Sequence, residues 1–218
     1  VPPILPVETF FYMNTPEMTD TRKHLDLGCG KKMRNPYEAG EVYGVDFETK
    51  APSVERYKST DLSLDPLPFE DVFFDSVSAY DVLEHIPRVV CINAPDAPSG
   101  MKTRNCFIQL MNEVWRILKP GGRFYAVTPV YPSAAAFIDP THVNFITNRT
   151  HRYFCGDLPG AKIYGFNGRF KVVRSKLIRF KYDYEPVHLS ISQRLRKVFD
   201  FLGRKRAHML WELEAIKD

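Results

Sequence analysis

Asp26-Leu27-Gly28-Cys29-Gly30 puts a carboxylate two residues before a pair of glycines. Glycines at such a turn let the backbone approach a ligand with no Cβ in the way. A dinucleotide fingerprint needs a third glycine where this chain has Met33, and a P-loop needs a Gly-Lys-Ser/Thr that Lys31-Lys32-Met33 does not supply. Asp26 would repel a phosphate and attract a cation. Sixteen residues past Gly30, Asp46 is spaced to accept two hydrogen bonds from a ribose diol. The combination describes a nucleoside with a cationic amino-acid tail and no diphosphate. Two further groups, Glu84-His85 and Asp139-Pro140-Thr141-His142, hold imidazoles and carboxylates, the side chains that remove a proton from a hydroxyl. His142 is the first candidate for general base and His85 the second, with Asp139 orienting an imidazole. A second reading is a hard cation: Mg²⁺ held by Asp139, His142 and either Glu84 or His85 would polarise an acceptor hydroxyl. Two histidines weigh against Mg²⁺, which prefers oxygen ligands. The plainer alternative makes both histidines structural, His85 packing at a helix start and His142 bonding a loop carbonyl.

The intervening residues must position these groups. His24–Leu27, Glu41–Asp46, Phe74–Tyr80 and Gly122–Thr128 read as strands, with Ser53–Tyr57 a weaker one. Val82–Ile86 reads as a helix start. Asn105–Leu118 has apolar residues at 107, 110, 111, 114, 115 and 118, a helical period, and stops at Lys119-Pro120-Gly121-Gly122. Strands alternating with helices predict a mostly parallel sheet covered on both faces. In such a sheet the ligand sits beyond the carboxyl ends of the strands, so the Glu84-His85 and Asp139–His142 groups should face each other there. Residues 87–104, with three prolines, read as a lid or insertion. Residues 1–20 read as an irregular arm and Arg169–Tyr184 as one or two strands. Ile191–Leu202 reads as an amphipathic helix and Ala207–Ile216 as a second one, so 188–218 forms a basic helical end of a single domain spanning 1–218.

Bulk composition narrows the function classes. The 218 residues include 16 Phe, 11 Tyr and 2 Trp, enough apolar area to exclude general disorder. No run of about 18 apolar residues suggests a membrane span. Cys29, Cys91, Cys106 and Cys155 form no CxxC pair, which argues against a zinc ribbon or disulfide scaffold and for reduced thiols in a cytoplasmic protein. The sequence opens Val1-Pro2-Pro3 without a secretory leader, and the missing initiator Met suggests trimming. Arg169–Arg206 carries twelve Lys/Arg against three acids, which suits a phosphate-bearing partner, an anionic membrane surface or a solvated face. Trp211, Leu213 and Ile216 would add apolar surface for a homodimer contact.

The segments Asp26–Gly30, Gly44-Val45-Asp46, Asp75–Ile86 and Leu118–Phe124 resemble, in order and spacing, the motifs of class I S-adenosylmethionine-dependent methyltransferases. The resemblance implies a Rossmann-like three-layer α/β/α sandwich with a seven-stranded, mostly parallel sheet whose last strand is antiparallel. It implies that Asp26 and the Gly28, Cys29 and Gly30 backbone hold the methionyl part and that Asp46 binds the ribose. Asp61 would meet the adenine amino group, Phe47 and Leu62 would sandwich the ring, and Tyr80 and Asp81 would flank the methionine moiety. The Asp139-Pro-x-His142 element with Phe145 resembles one in sugar and cell-surface glycan methyltransferases. The expected function is thus O-methylation of a small-molecule hydroxyl, most simply a sugar or oligosaccharide. The base-methylase tetrad Asn/Asp-Pro-Pro-Tyr/Phe is absent, since Tyr80-Asp81-Val82-Leu83 stands there, which disfavours nucleic acid as acceptor. The rivals are an N-methyltransferase of a small amine, an RNA methyltransferase, and a non-catalytic cofactor-binding subunit.

Overall fold

A computed structural model describes residues 20–47, 55–179 and 206–217. Seven strands form the main sheet: β1 (Lys23–Leu27), β2 (Glu41–Asp46), β3 (Tyr57–Ser59), β4 (Phe74–Tyr80), β7 (Leu118–Pro129), β8 (Phe170–Ile178) and β9 (His208–Ala215). Their order is β3-β2-β1-β4-β7-β9-β8. All are parallel except β9, which runs antiparallel between β7 and β8. The sheet expected from the sequence is therefore present, with the last strand antiparallel. β5 (Val90–Asn93) and β6 (Met101–Arg104) make a separate antiparallel hairpin, which is the form taken by most of the segment read as a lid or insertion. The N-terminal arm, the Ile191–Leu202 helix and most of the basic C-terminal cluster lie outside the described residues.

The register sets the site. Leu27 pairs with Val45 and Ala79, and Tyr80 pairs with Val127. Gly28, Asp46, Asp81 and Thr128 therefore share one edge. The antiparallel β9 enters at that same edge, where His208 pairs with Pro129.

The two faces of the sheet differ in chemistry. On one, α1 (Cys106–Ile117) buries Cys106, Phe107, Leu110, Met111, Val114 and Ile117, the side its 3.6 period selects. That stripe belongs to a single core with Leu25, Leu27, Val77, Phe124 and Trp211. α1 ends at Ile117, where Leu118 turns extended as the first residue of β7, and Pro120, Gly121 and Gly122 follow within that strand, with Gly121 at φ +74°. The other face has a buried polar seam. His24 bonds Ser76 Oγ through Nδ1 at 2.7 Å and Ser78 Oγ through Nε2 at 2.9 Å. Ser78 Oγ donates to Asp26 Oδ1 at 2.7 Å. Because the single hydroxyl proton of Ser78 goes to the carboxylate, His24 carries its proton on Nε2 and accepts from Ser76 at Nδ1. Burial lowers His24 to about 3 and raises Asp26 to about 6, the latter opposed by its donors Ser78 and the Arg34 N–H.

Four expectations are corrected. Ala207–Ile216 is not a helix, because His208–Ala215 is strand β9. Met, Leu, Glu and Ala there favour a helix by intrinsic propensity, but an interior strand position with partners on both sides overrides it. Trp211 and Leu213, read as a dimer surface, are fully buried in the core instead. Val82–Ile86 makes one 3₁₀ turn, Leu83–His85, since Pro87 stops it from continuing. The weak third strand falls at Tyr57–Ser59, two residues or more past where it was read.

The neutral buried His24 gives a pH test. Its folded pKa lies below its ordinary 6.5, so between pH 6.5 and 3 the unfolded chain binds a proton that the folded chain refuses. Stability from this site is present above pH 6.5 and drains as pH falls toward 3. Urea unfolding of wild type and His24→Gln at pH 7 and pH 5 should show the gap between them shrinking at pH 5, by up to about 2 kcal/mol. A gap that does not change with pH contradicts a buried neutral imidazole.

Candidate active site

The loop leaving β1 takes two left-handed residues, Gly28 at φ +61° and Gly30 at φ +54°. A Cβ on Gly28 would collide with Val82 Cγ2, whereas one on Gly30 would meet nothing within 4 Å, so this turn opens toward solvent. The Cys29 N–H donates to Val45 O at 3.1 Å, and its buried sulfur fills the space beside Gly44, 2.6 Å from where a Cβ would stand. The Gly30 N–H donates to Asp46 Oδ2 at 2.8 Å and the Phe47 N–H to Oδ1 at 2.8 Å. The Asp46 carboxylate is thus held at the tip of β2, beside the glycine turn. Asn35 then closes the loop by bonding both the N–H and the carbonyl of Ala39. A cleft of about 630 Å³ is lined by loop residues 28–35 and Tyr80. The Tyr80 ring is buried in its wall, 4.4 Å from the Arg34 guanidinium, while Lys31 and Lys32 are exposed.

The remaining expected nucleoside contacts are less gathered. Phe47 is 76% exposed, as a ring awaiting a planar partner would be, and Leu62 packs against the core. Asp61 Oδ1 accepts the Ser63 N–H at 2.8 Å, an Asx turn that holds the residue in its loop. Asp81, left-handed at φ +54°, donates its N–H to Val127 O. Its Oδ1 lies 3.7 Å from His208 Nε2.

Glu84 is 1% exposed. Its Oε2 accepts from Thr128 Oγ1 at 2.9 Å, and its Oε1 is buried with no hydrogen-bond partner among the described residues. Burial pushes its carboxyl up to about 8. Its main-chain carbonyl accepts both the Val143 and the Asn144 N–H at 2.9 Å, which brings the 139–145 segment to the end of β4. His85 and His142 then meet edge to face, ring centres 4.8 Å apart. Thr141 Oγ1 bonds Asp139 Oδ1 at 2.6 Å and His85 Nδ1 at 3.0 Å. Between the Thr141 hydroxyl and that carboxylate only the hydroxyl can donate, so His85 carries its proton on Nδ1 and leaves an Nε2 lone pair open. His142 Nδ1 faces the carbonyl of Ala136 at 3.3 Å, which fixes the same tautomer. Asp139, the exposed acceptor of two Thr141 hydrogen bonds, sits below its ordinary carboxylate value.

The two groups expected to face each other do meet, through His85 and His142. Glu84, His85 and His142 each offer a ligand atom, all within 4.8 Å of one another, and Asp139 is not among them. Its link to the cluster runs through Thr141. Thr128, Thr141, Asn144 and His208 were not singled out from the sequence. Thr141 stood inside a quoted motif, and His208 was hidden by reading its segment as helical.

Comparisons with known proteins bear on the class. Residues 25–97 match the methyltransferase domain family. No curated protein matches the chain. Among solved structures, a chain of the complex between the Haloferax volcanii Trm112 methyltransferase activator and a methyltransferase is 14% identical, with TM-score 0.55, covering 91% of this chain and 84% of that one. An S-adenosylmethionine-dependent methyltransferase from Archaeoglobus fulgidus is 15% identical, with TM-score 0.52, covering 91% and 88%. The [4+2]-cyclase SpnF is 13% identical, with TM-score 0.51, covering 92% and 77%. The fold is that of the class I methyltransferases, and residues 25–97, which hold the glycine turn and Asp46, are similar to the methyltransferase domain. Together they make methyl transfer, with S-adenosylmethionine as cofactor, the function to test. No helix among the described residues is long and apolar enough to cross a membrane.

The geometry of Asp46 makes a binding prediction. If Asp46 takes two ribose hydrogen bonds, losing its carboxylate removes more than about 1.4 kcal/mol, a factor of ten. Calorimetric titration with S-adenosylhomocysteine should show Asp46→Ala binding at least tenfold more weakly than wild type. Gly28→Ala should do the same, because it strains the turn against Val82. Equal affinities in all three would remove the ligand from this cleft.

Proposed function

We propose that the protein transfers the methyl group of S-adenosylmethionine to a hydroxyl oxygen of a small molecule of the saccharide class. The observation that carries this reading is the pair of imidazoles at the strand edge, each with Nδ1 committed and an Nε2 lone pair open, beside the buried Glu84 carboxyl. Amine acceptors need little help with a proton, whereas a hydroxyl must lose one, and this cluster promotes that loss.

The residues divide the work as follows. Asp26, the Gly28–Gly30 backbone and Tyr80 would hold the amino-acid end of the cofactor, Asp46 its ribose, and Phe47, Asp61 and Leu62 its base. Bound there, S-adenosylmethionine supplies an electrophilic methyl on a sulfonium. His142 and His85 receive the acceptor hydroxyl, and Asp139 orients His85 through Thr141. Phe137 and Phe145 stack at 4.9 Å with Tyr131 edge-on to Phe137, all at least 40% exposed. This aromatic surface adjoins His142 in the chain and offers a flat apolar seat for the carbon face of a sugar ring.

Methyl transfer from labelled S-adenosylmethionine to a panel of glycosides, amines and RNA tests the reading. Glycosides should be labelled on oxygen. His142→Ala should cut that rate about 10² to 10⁴-fold while S-adenosylhomocysteine affinity is retained. Labelling of amines at a rate that His142→Ala leaves intact would replace this reading with N-methylation. Cofactor binding with no transfer to any acceptor would mark a non-catalytic subunit.

A further inference from the structure

We propose that Glu84, His85 and His142 form a site for one divalent transition-metal ion of the zinc type, which holds the acceptor hydroxyl. The inference deepens the function proposed above and rests on it for the hydroxyl, but not for the ion. Three independent features converge on the same point. First, the three side chains each bring a ligand atom within 4.8 Å of the others, from two segments that the Glu84 carbonyl ties together. Second, both imidazoles have their Nδ1–H engaged by oxygen, His85 by a hydroxyl that is itself bonded to a carboxylate, and His142 by a main-chain carbonyl. Metal-bound histidines are oriented in this way, with the remote nitrogen fixed as donor and the near one left as a lone pair. Third, Glu84 Oε1 is a buried carboxylate oxygen that no donor among the described residues satisfies, although its twin oxygen is paired with Thr128. An unpaired buried oxygen is costly unless something positive meets it.

The donor set selects the ion. Two imidazole nitrogens and one carboxylate oxygen suit Zn²⁺ or its neighbours and not Mg²⁺, which favours oxygen. Asp139, a ligand in the sequence-based Mg²⁺ reading, stands one residue removed behind Thr141 and orients a ligand instead. Three protein ligands leave a zinc-type ion an open position. A hydroxyl bound there becomes more acidic. Its O–H bond breaks with the proton passing to water, and the oxygen pair forms the new O–C bond as the C–S bond of the sulfonium breaks.

The test is metal binding without cofactor or acceptor. Chelator-stripped protein is titrated calorimetrically with Zn²⁺, Mn²⁺ and Mg²⁺ separately, alongside His85→Ala, His142→Ala and Glu84→Gln. One equivalent of Zn²⁺ should bind, at least 100-fold more tightly than Mg²⁺, and each histidine variant should weaken it at least tenfold. Co²⁺ on the unaltered protein should develop the visible absorption of a low-coordinate nitrogen–oxygen site that Zn²⁺ then erases, which covers any variant that fails to fold. No stoichiometric Zn²⁺ uptake, a preference for Mg²⁺, or uptake indifferent to both histidines would each overturn the site. Since S-adenosylhomocysteine binding and glycoside labelling are measured separately, the ion can fail while the methyltransferase reading stands, and the reverse.

Discussion

The main-chain carbonyl of Glu84 accepts two N–H groups, from Val143 and Asn144, and the site depends on that junction. Without it the segment after β7 would be a surface excursion with no fixed relation to β4. Further bonds lock the same junction. Asn144 Nδ2 donates to Leu83 O, Arg88 donates to Asn144 Oδ1 and to Phe145 O, and the Tyr131 N–H donates to Ile146 O. Loops usually trade precision for variability. This one is held with the density of bonds of a sheet edge, which is what imidazoles meeting at 4.8 Å require. The Glu84 side chain completes the tie by reaching Thr128 at the end of β7. Burying a carboxyl in this way is unfavourable, and it leaves one oxygen unsatisfied, so the junction that fixes the loop also creates the most reactive-looking atom at the edge.

A second constraint comes from the backbone at the carboxyl ends of the strands. Gly28, Gly30 and Asp81 all have left-handed φ, between +54° and +61°. Each turns the chain sharply as it leaves a strand and exposes its neighbours to the crevice. Glycine meets that need without strain after β1. Asp81, whose short polar side chain tolerates the left-handed region, meets it after β4. The polar seam under the crevice continues the same logic. His24, Ser76, Ser78 and Asp26 are adjacent across β1 and β4, so the Asp26 carboxylate is buffered by donors and not left alone in the sheet.

Much of this was legible in the sequence because it follows local rules. Strands β1, β2, β4 and β7 and helix α1 announce themselves by apolar period and by the Lys119-Pro120-Gly121-Gly122 stop. The glycine turn and Asp46 are legible because ligand approach needs residues of those types at that spacing. The meeting of His85 with His142 was expected from a general rule about parallel sheets, not from any residue in the 139–145 segment. What was not legible is tertiary in origin. Strand β9 has helix-forming residues, yet Trp211-Glu212-Leu213-Glu214-Ala215 alternates with period two, and an interior position between β7 and β8 decides the outcome. That misreading hid His208, which reaches the crevice only because β9 runs antiparallel. Asp139 was read as a direct participant, since nothing in a sequence shows that Thr141 will stand between it and His85.

The fold alone cannot say what happens at this edge. A [4+2]-cyclase shares it at TM-score 0.51, as do methyltransferases, so one scaffold serves unlike reactions. What distinguishes one from another is where lone pairs and buried charges point. Here the proposed cofactor half would be written in backbone conformation and one carboxylate, features indifferent to the acceptor. The proposed acceptor half would be written in tautomers: two imidazoles whose Nδ1 atoms are spent on a threonine and a carbonyl, and whose Nε2 atoms have no hydrogen-bond partner among the described residues. A purely structural histidine pair would use both nitrogens, as His24 does between Ser76 and Ser78 in the same sheet. The contrast between those two arrangements in one molecule is the physical ground for assigning chemistry to the one and support to the other.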